Sequence, residues 1–262
     1  MTVLNWADLT TDDFGRLDGG RAIAVLPLGA TEQHGPHLPL STDTDLATGV
    51  IRRAAGLVDP SLSVLILPPM PFGRSAEHED FPGTISLSAQ TMIQILMEIG
   101  AGVADAGVDR LVLFNGHGGN VSVMDIVARD LRHQTGLWVA HTSWFSLCDA
   151  ADHLDGDELT HGIHGGALET SAMLALDDDR VRMDLAKDFP SKGREWAKRF
   201  REVGVGGKPV KLGWMMRDLN PDGAAGNAAA ATPEVGVALV TRAAERFAAF
   251  LSEFATMETP ER

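Results

Sequence analysis

The sequence predicts an α/β fold, a mostly parallel sheet with helices on both faces. Two observations carry this. Short apolar runs recur along the first two-thirds of the chain, nearly continuous as in strands buried on both faces. Between them lie longer stretches whose apolar residues return every three or four positions, the helical period.

Residues 22–28 (AIAVLPL) read as the first strand and residues 44–55 as the helix after it. A second strand is expected at 62–67 (LSVLIL). Ser88 can cap a long helix, because Met92, Leu96, Ile99, Val103 and Ala106 then share one face. Residues 110–114 (RLVLF) give a third strand, 121–133 a helix and 137–142 a fourth strand. After Trp144 the pattern loosens: 167–176 reads as a short helix, and 187–233 is glycine-rich and irregular, a length at which loops tend to be functional. The last helix is well marked. Thr232 is placed to be its N-cap, Pro233 to sit at N1 and Glu234 to meet the positive end of the dipole, ahead of Val237, Val240, Phe247 and Leu251. No repeat and no apolar-poor linker divides the chain, so one domain is expected over 1–262.

Composition excludes several classes. With 44% hydrophobic and 22% charged residues the chain is neither disordered nor fibrous. A formal net charge of −14 argues against nucleic acid, whose partners carry a basic face; the one basic run, 192–201 (KGREWAKRFR), reads as a solvated helix face. No apolar run approaches the ~18 residues of a membrane span. Residues 1–20 lack a basic segment followed by an apolar core, so no secretory signal is expected. The single cysteine, Cys148, fits a reducing compartment, hence a cytoplasmic protein.

The residues that carry chemistry follow strand ends, where ligands sit in open α/β sheets. After the first strand come Glu32 and His34, two apart and so facing the same way if extended, and then Asp43 just before a helix. His117 follows the third strand in Asn-Gly-His-Gly-Gly-Asn, and a third cluster is His161-Gly-Ile-His164-Gly-Gly-Ala-Leu-Glu169. Glutamate, aspartate and histidine without thiolates are ligands for Zn²⁺, Mn²⁺ or Fe²⁺, and a carboxylate can bridge two such ions. Each residue alone also has a plainer reading: Glu32 as a surface acid, His34 and His117 as turn residues, the glycines as tight-turn formers. Their joint placement favours a metal site.

GATEQHGPHLPLSTDTDLA, FGRSAEHEDFPGTISL, FNGHGGN and HGGALETS, in that order over residues 29–171, resemble the four motifs of the creatininase (creatinine amidohydrolase) family, and GAAGNAAAATPEVG resembles its C-terminal motif. The resemblance implies a three-layer α/β/α sandwich and a metal-dependent amidohydrolase that cleaves a C–N bond of an amide or cyclic amide. It implies two divalent ions (Zn, Mn or Fe) on Glu32, His34, Asp43 and His117, with Asp43 bridging. It also implies His164 as the proton-handling residue, Ser75 as a substrate contact, and a homo-oligomer, commonly a hexamer. Peptidase activity on a precursor peptide, of the mycofactocin type, and creatinine hydrolysis proper are the alternatives.

Two departures qualify the resemblance. The glutamate ligand that creatininases carry two residues after the NGH histidine is Gly119 here, which makes Glu169 the expected replacement; the plainer reading of Glu169 is a first-turn helix acid. The tryptophan four residues before the catalytic histidine is Thr160 here, which removes an aromatic face and argues against creatinine. Arg74, Glu77 and His78 are taken as further substrate contacts beside Ser75, with Arg74 suited to a carboxylate on the substrate. A non-catalytic scaffold finds support only in the loss at Gly119.

Overall fold

The computed structural model describes residues 3–258; residues 1–2 and 259–262 of the expected 1–262 unit lie outside the described residues. Five strands, β1 (Val3–Asn5), β2 (Ala22–Leu28), β3 (Ser63–Ile66), β4 (Arg110–Asn115) and β5 (Trp138–Ser143), form one sheet in the order β1-β3-β2-β4-β5. Every pair in it is parallel, with Ile23 opposite Val64 on one side and Arg110 on the other. All seven residues of β2 are buried because it is flanked on both edges and covered on both faces. Pro27, which has no N–H to give, lies beyond the end of the β3 pairing at Val25–Ile66.

The helices are α1 (Thr42–Ala54), α2 (Ala89–Asp105), α3 (Val121–Thr135), α4 (Gly156–His161), α5 (Ala167–Leu176), α6 (Lys192–Arg199) and α7 (Pro233–Thr256), with single turns elsewhere. Alternation along β2 separates two cores. Ile23 and Val25 pack with α1, α5 and α7, whereas Ala22, Ala24, Leu26 and Leu28 pack with α2 and α3. This is the three-layer α/β/α sandwich. The expected caps form: the Ser88 side chain accepts from Thr91 N at 3.1 Å and that of Thr232 from Val235 N at 3.3 Å, with Pro233 in the first turn.

The differences from expectation are local. β1, only three residues long and partly exposed at the sheet edge, carries too little pattern to predict. α1 begins at Thr42, two residues early, and so takes Asp43 into its first turn. The segment 187–233 is not wholly irregular: it holds the largely exposed α6 and two small two-stranded ladders.

α5 and α7 touch through glycine. A Cβ on Gly236 would run into the backbone of Ser171 and come within 2.9 Å of Ala175 Cβ, whereas a Cβ on exposed Gly102 of α2 would meet nothing. Gly236→Ala is expected to destabilise by ~1–3 kcal/mol through overpacking, and Gly102→Ala to stabilise by ~0.5–1 kcal/mol through helix propensity. Chemical denaturation of both variants reads the opposite signs.

Candidate metal centre and active-site cleft

The C-terminal ends of β2, β3 and β4 deliver the polar residues to one place. Glu32 and His34 lie on the loop leaving β2, Asp43 in the first turn of α1, Ser75, Glu77 and His78 on the loop beyond β3, and His117 directly after β4. Glu169, in the first turn of α5, and His164 before it complete the ring. Close approach of backbone makes this possible. A Cβ on Gly29 would strike Thr44, and one on Gly116 would strike the carbonyl of Asp43. The two strand-end loops therefore press α1 and its Asp43 into the sheet edge.

Glu32, His34, Asp43, Ser75, His78, His117 and His164 are all buried. Asp43 lies between two imidazoles: its Oδ1 is 3.3 Å from His34 Nε2 and its Oδ2 3.4 Å from His117 Nδ1. Glu32 Oε2 is 3.2 Å from His117 Nε2, and its Oε1 is 3.4 Å from His78 Nε2 and 3.7 Å from His164 Nδ1. Potential ligand atoms lie within 4.8 Å of one another in three sets: Glu32–Asp43–His117, His34–Asp43–Glu169 and Glu32–His34–His164. The first two share Asp43.

Hydrogen bonds outside the cluster fix the rings. His34 Nδ1 faces the carbonyl of Glu32 at 3.1 Å, which turns Nε2 inward. His164 Nε2 donates to the carbonyl of Gln33 at 2.7 Å, which leaves Nδ1 toward Glu32. Both oxygens of Glu32, Oδ2 of Asp43 and Nε2 of His34 are buried without a hydrogen-bond partner. Carboxylate oxygens at this depth that face imidazoles without a hydrogen bond are costly, and a divalent cation is what their number and type fit.

The electrostatics agree. Burial works to lower the pKa of His34, but Asp43, Glu169 and Glu32 outweigh it and hold it at about 10. His117 is likewise depressed by burial and lifted by Glu32 and Asp43, to about 10. Burial pushes Glu169 up to about 7. Burial, with His78 and His34 alongside, keeps His164 well below its ordinary value, hence neutral at pH 7.

Glu32, His34, Asp43, His117, Glu169 and His164 converge. Ser75 Oγ is 3.4 Å from His117 Nε2. His78 Nδ1 takes a hydrogen bond from Gln33 Nε2 at 2.7 Å, and its ring lies 4.1 Å from that of His164. Glu77 Oε1 is 3.7 Å from His117 Nε2 and borders a cavity of about 380 Å³ beside the cluster. Arg74 is not brought in by its side chain: the guanidinium reaches Ser86 and Glu79, and only its carbonyl meets the cluster, 2.9 Å from His117 Nε2. Thr160 does not border the cavity, and its hydroxyl donates to the carbonyl of Gly156. A Cβ at Gly119 would collide with the Arg74 carbonyl and the His117 ring and lie 2.7 Å from Glu77 Oε1, so no side chain fits there.

Sequence reasoning missed three supports. Gln33 holds His78 and, through its carbonyl, His164. Asn115 bonds both the N–H and the carbonyl of His117, and Asn120 ties Asn115 to the carbonyl of Gly29 and the N–H of Arg74. The asparagines that bracket NGHGGN were the available signal.

The creatininase family profile, described as creatinine amidohydrolase, matches residues 7–251. A mycofactocin precursor peptide peptidase of Mycobacterium ulcerans (strain Agy99) is 36% identical over 217 residues, covering 78% of this chain and 81% of that protein. A creatinine amidohydrolase of Pseudomonas putida is 32% identical over 203 residues, covering 70% and 75%. The crystal structure of a putative creatinine amidohydrolase from Bacteroides fragilis NCTC 9343 superposes with a TM-score of 0.81 at 25% identity, covering 98% of each chain.

The protonated state of His34 and His117 has a consequence for metal uptake. Both rings must lose a proton to become ligands, so binding Mn²⁺ or Zn²⁺ at neutral pH is expected to release protons and to tighten as pH rises. Calorimetry in buffers of different ionisation enthalpy measures this release. Uptake with no proton release would contradict ligation by protonated His34 and His117.

Proposed function

Given that this chain belongs to the creatininase family, we propose that the cluster is a dinuclear metal centre for hydrolysis of an amide or cyclic amide C–N bond. The chain is an amidohydrolase of that family. Glu32, Asp43 and His117 would hold one divalent ion, and His34, Asp43 and Glu169 the other. The observation that carries this is Asp43, shared by two ligand sets and buried with an unpartnered oxygen. Zinc, manganese and iron all suit these donors.

Divalent ions bound there would supply Lewis acidity, polarising the substrate carbonyl and making water a better nucleophile near neutral pH. The chain's own residues do the rest. His164, neutral and with Nε2–H held by the Gln33 carbonyl, presents the lone pair of Nδ1 to the reacting centre. It accepts a proton from the attacking water there and returns it to the leaving nitrogen as the C–N bond breaks. Glu77 and His78 edge the same space and orient the substrate, while Ser75, buried outside the cavity lining, sits 3.4 Å from His117 Nε2. A second reading, trimming of a precursor peptide, is favoured by the similarity to the mycofactocin precursor peptide peptidase. It uses the same chemistry on a peptide bond.

His164→Asn is expected to lower kcat by ~10²–10⁴-fold while metal content stays at two ions per chain. Loss of metal in this variant would instead make His164 a ligand with Glu32 and His34. In the wild type, chelation is expected to abolish amide hydrolysis and Mn²⁺ or Zn²⁺ to restore it.

Assembly belongs to the same reading. Val210 and Leu212, on the glycine-rich segment, are 55% and 40% exposed, apolar surface that a partner copy would cover. A homohexamer is the expected state and a cytoplasmic one the expected setting. Light scattering at micromolar concentration should give about six times the monomer mass, and a monomer would refute it.

A further inference from the structure

The cavity beside the cluster has two kinds of wall. His78, His117 and His164, with Glu77 and Glu169, form the reactive end. The remainder is mostly apolar: Phe145, Leu154, Leu159, Ile163, Leu168 and Trp214. These walls are anchored. Phe145 and Leu168 pack on the core under α1 and α7, and Trp214 packs on Met216, Leu219 and Ala225. Leu159 and Ile163, 44% and 38% exposed, stand at the mouth.

Away from His117 the charged side chains of the lining are acidic. Among the described residues no lysine or arginine borders the cavity, and the acids that do are Glu77, Glu158 and Glu169. Glu158 is spent on backbone, accepting from Ala167 N at 2.6 Å and Asn227 N at 2.8 Å. Glu169 accepts from Gly165 N at 2.6 Å. An anionic group set against the apolar walls, rather than at the His117 end, would therefore find no lysine or arginine, a desolvation cost with no compensation. The arginine that sequence reasoning assigned to this task, Arg74, points to Ser86 and Glu79 instead. The aromatic surface absent at Thr160 is supplied from elsewhere, by Phe145 and Trp214.

From these walls we propose that the cavity selects substrates whose group next to the scissile amide is uncharged and hydrophobic, aromatic or branched aliphatic, and rejects anionic ones. The proposal rests on the amidohydrolase reading for the position of the scissile bond. It rests on the lining alone for the chemistry of the neighbouring group. Water leaves an apolar wall when such a group enters, and flat rings gain further from Phe145 and Trp214. The same chemistry can arrive on a small amide or on a peptide that leaves through the mouth.

The test uses the Mn²⁺-loaded protein at neutral pH with N-acetyl amides of Phe, Leu and Asp, and with blocked tripeptides carrying the same residues centrally. The expected result is a kcat/KM at least ~10-fold higher for Phe and Leu than for Asp in whichever arm is hydrolysed faster. Leu154→Arg should narrow that ratio by improving the Asp probe and weakening the Phe probe. Calorimetric binding of the same probes to the wild type needs no turnover and reads the cavity directly. Preferential binding of Phe and Leu without hydrolysis supports the cavity assignment while counting against the hydrolase reading. Equal or better binding or turnover of the Asp probe overturns the assignment and leaves the hydrolase reading standing.

Discussion

Asp43 is the constraint on which the site depends. Its carboxylate is buried between His34 and His117, in the first turn of a helix pressed against the ends of the fully buried β2 and β4. A charge so placed is tolerable only if every neighbour is arranged around it. Its partners come from two strand-end loops, and the positive end of α1 favours it as well. Glu169 repeats the device in the first turn of α5. Two helices thus present acids with their N-termini toward one point, and the histidines close the ring.

The packing is subordinate to that arrangement. Gly29 and Gly116 lie where any side chain would push α1 away from the sheet, and with it Asp43. Gly119 is held to hydrogen by the Arg74 carbonyl and the His117 ring. The creatininase-type carboxylate missing at that position therefore cannot be regained there by simple substitution, and Glu169 meets His34 and Asp43 from α5. Asn115 and Asn120 then lock the loop that carries His117, so its ring is set by the backbone and not by the loop's own flexibility.

Much of this was legible in the sequence, for identifiable reasons. β2 and β4 announce themselves because strands covered on both faces carry nearly continuous apolar runs, here AIAVLPL and the LVLF of β4. The helices flanking them announce themselves by period and by caps such as Ser88 and Thr232. β1 does not, being three residues at an edge, and neither does the six-residue α4. In the site, Glu32, His34, Asp43 and His117 could be read because their spacing follows strand ends. The direction of Arg74 could not, since a long side chain on a loop takes whichever partner tertiary structure offers, here Ser86 and Glu79. Phe145 and Trp214 were invisible for a related reason: they belong to separate segments and become one wall only in the folded chain.

A shared carboxylate makes a demand on geometry that can be seen directly. Anomalous diffraction from crystals equilibrated with Mn²⁺ should show two peaks per chain, about 3.5–4 Å apart, with the Asp43 carboxylate touching both. A single peak, or a pair in which Asp43 touches only one, would contradict the account.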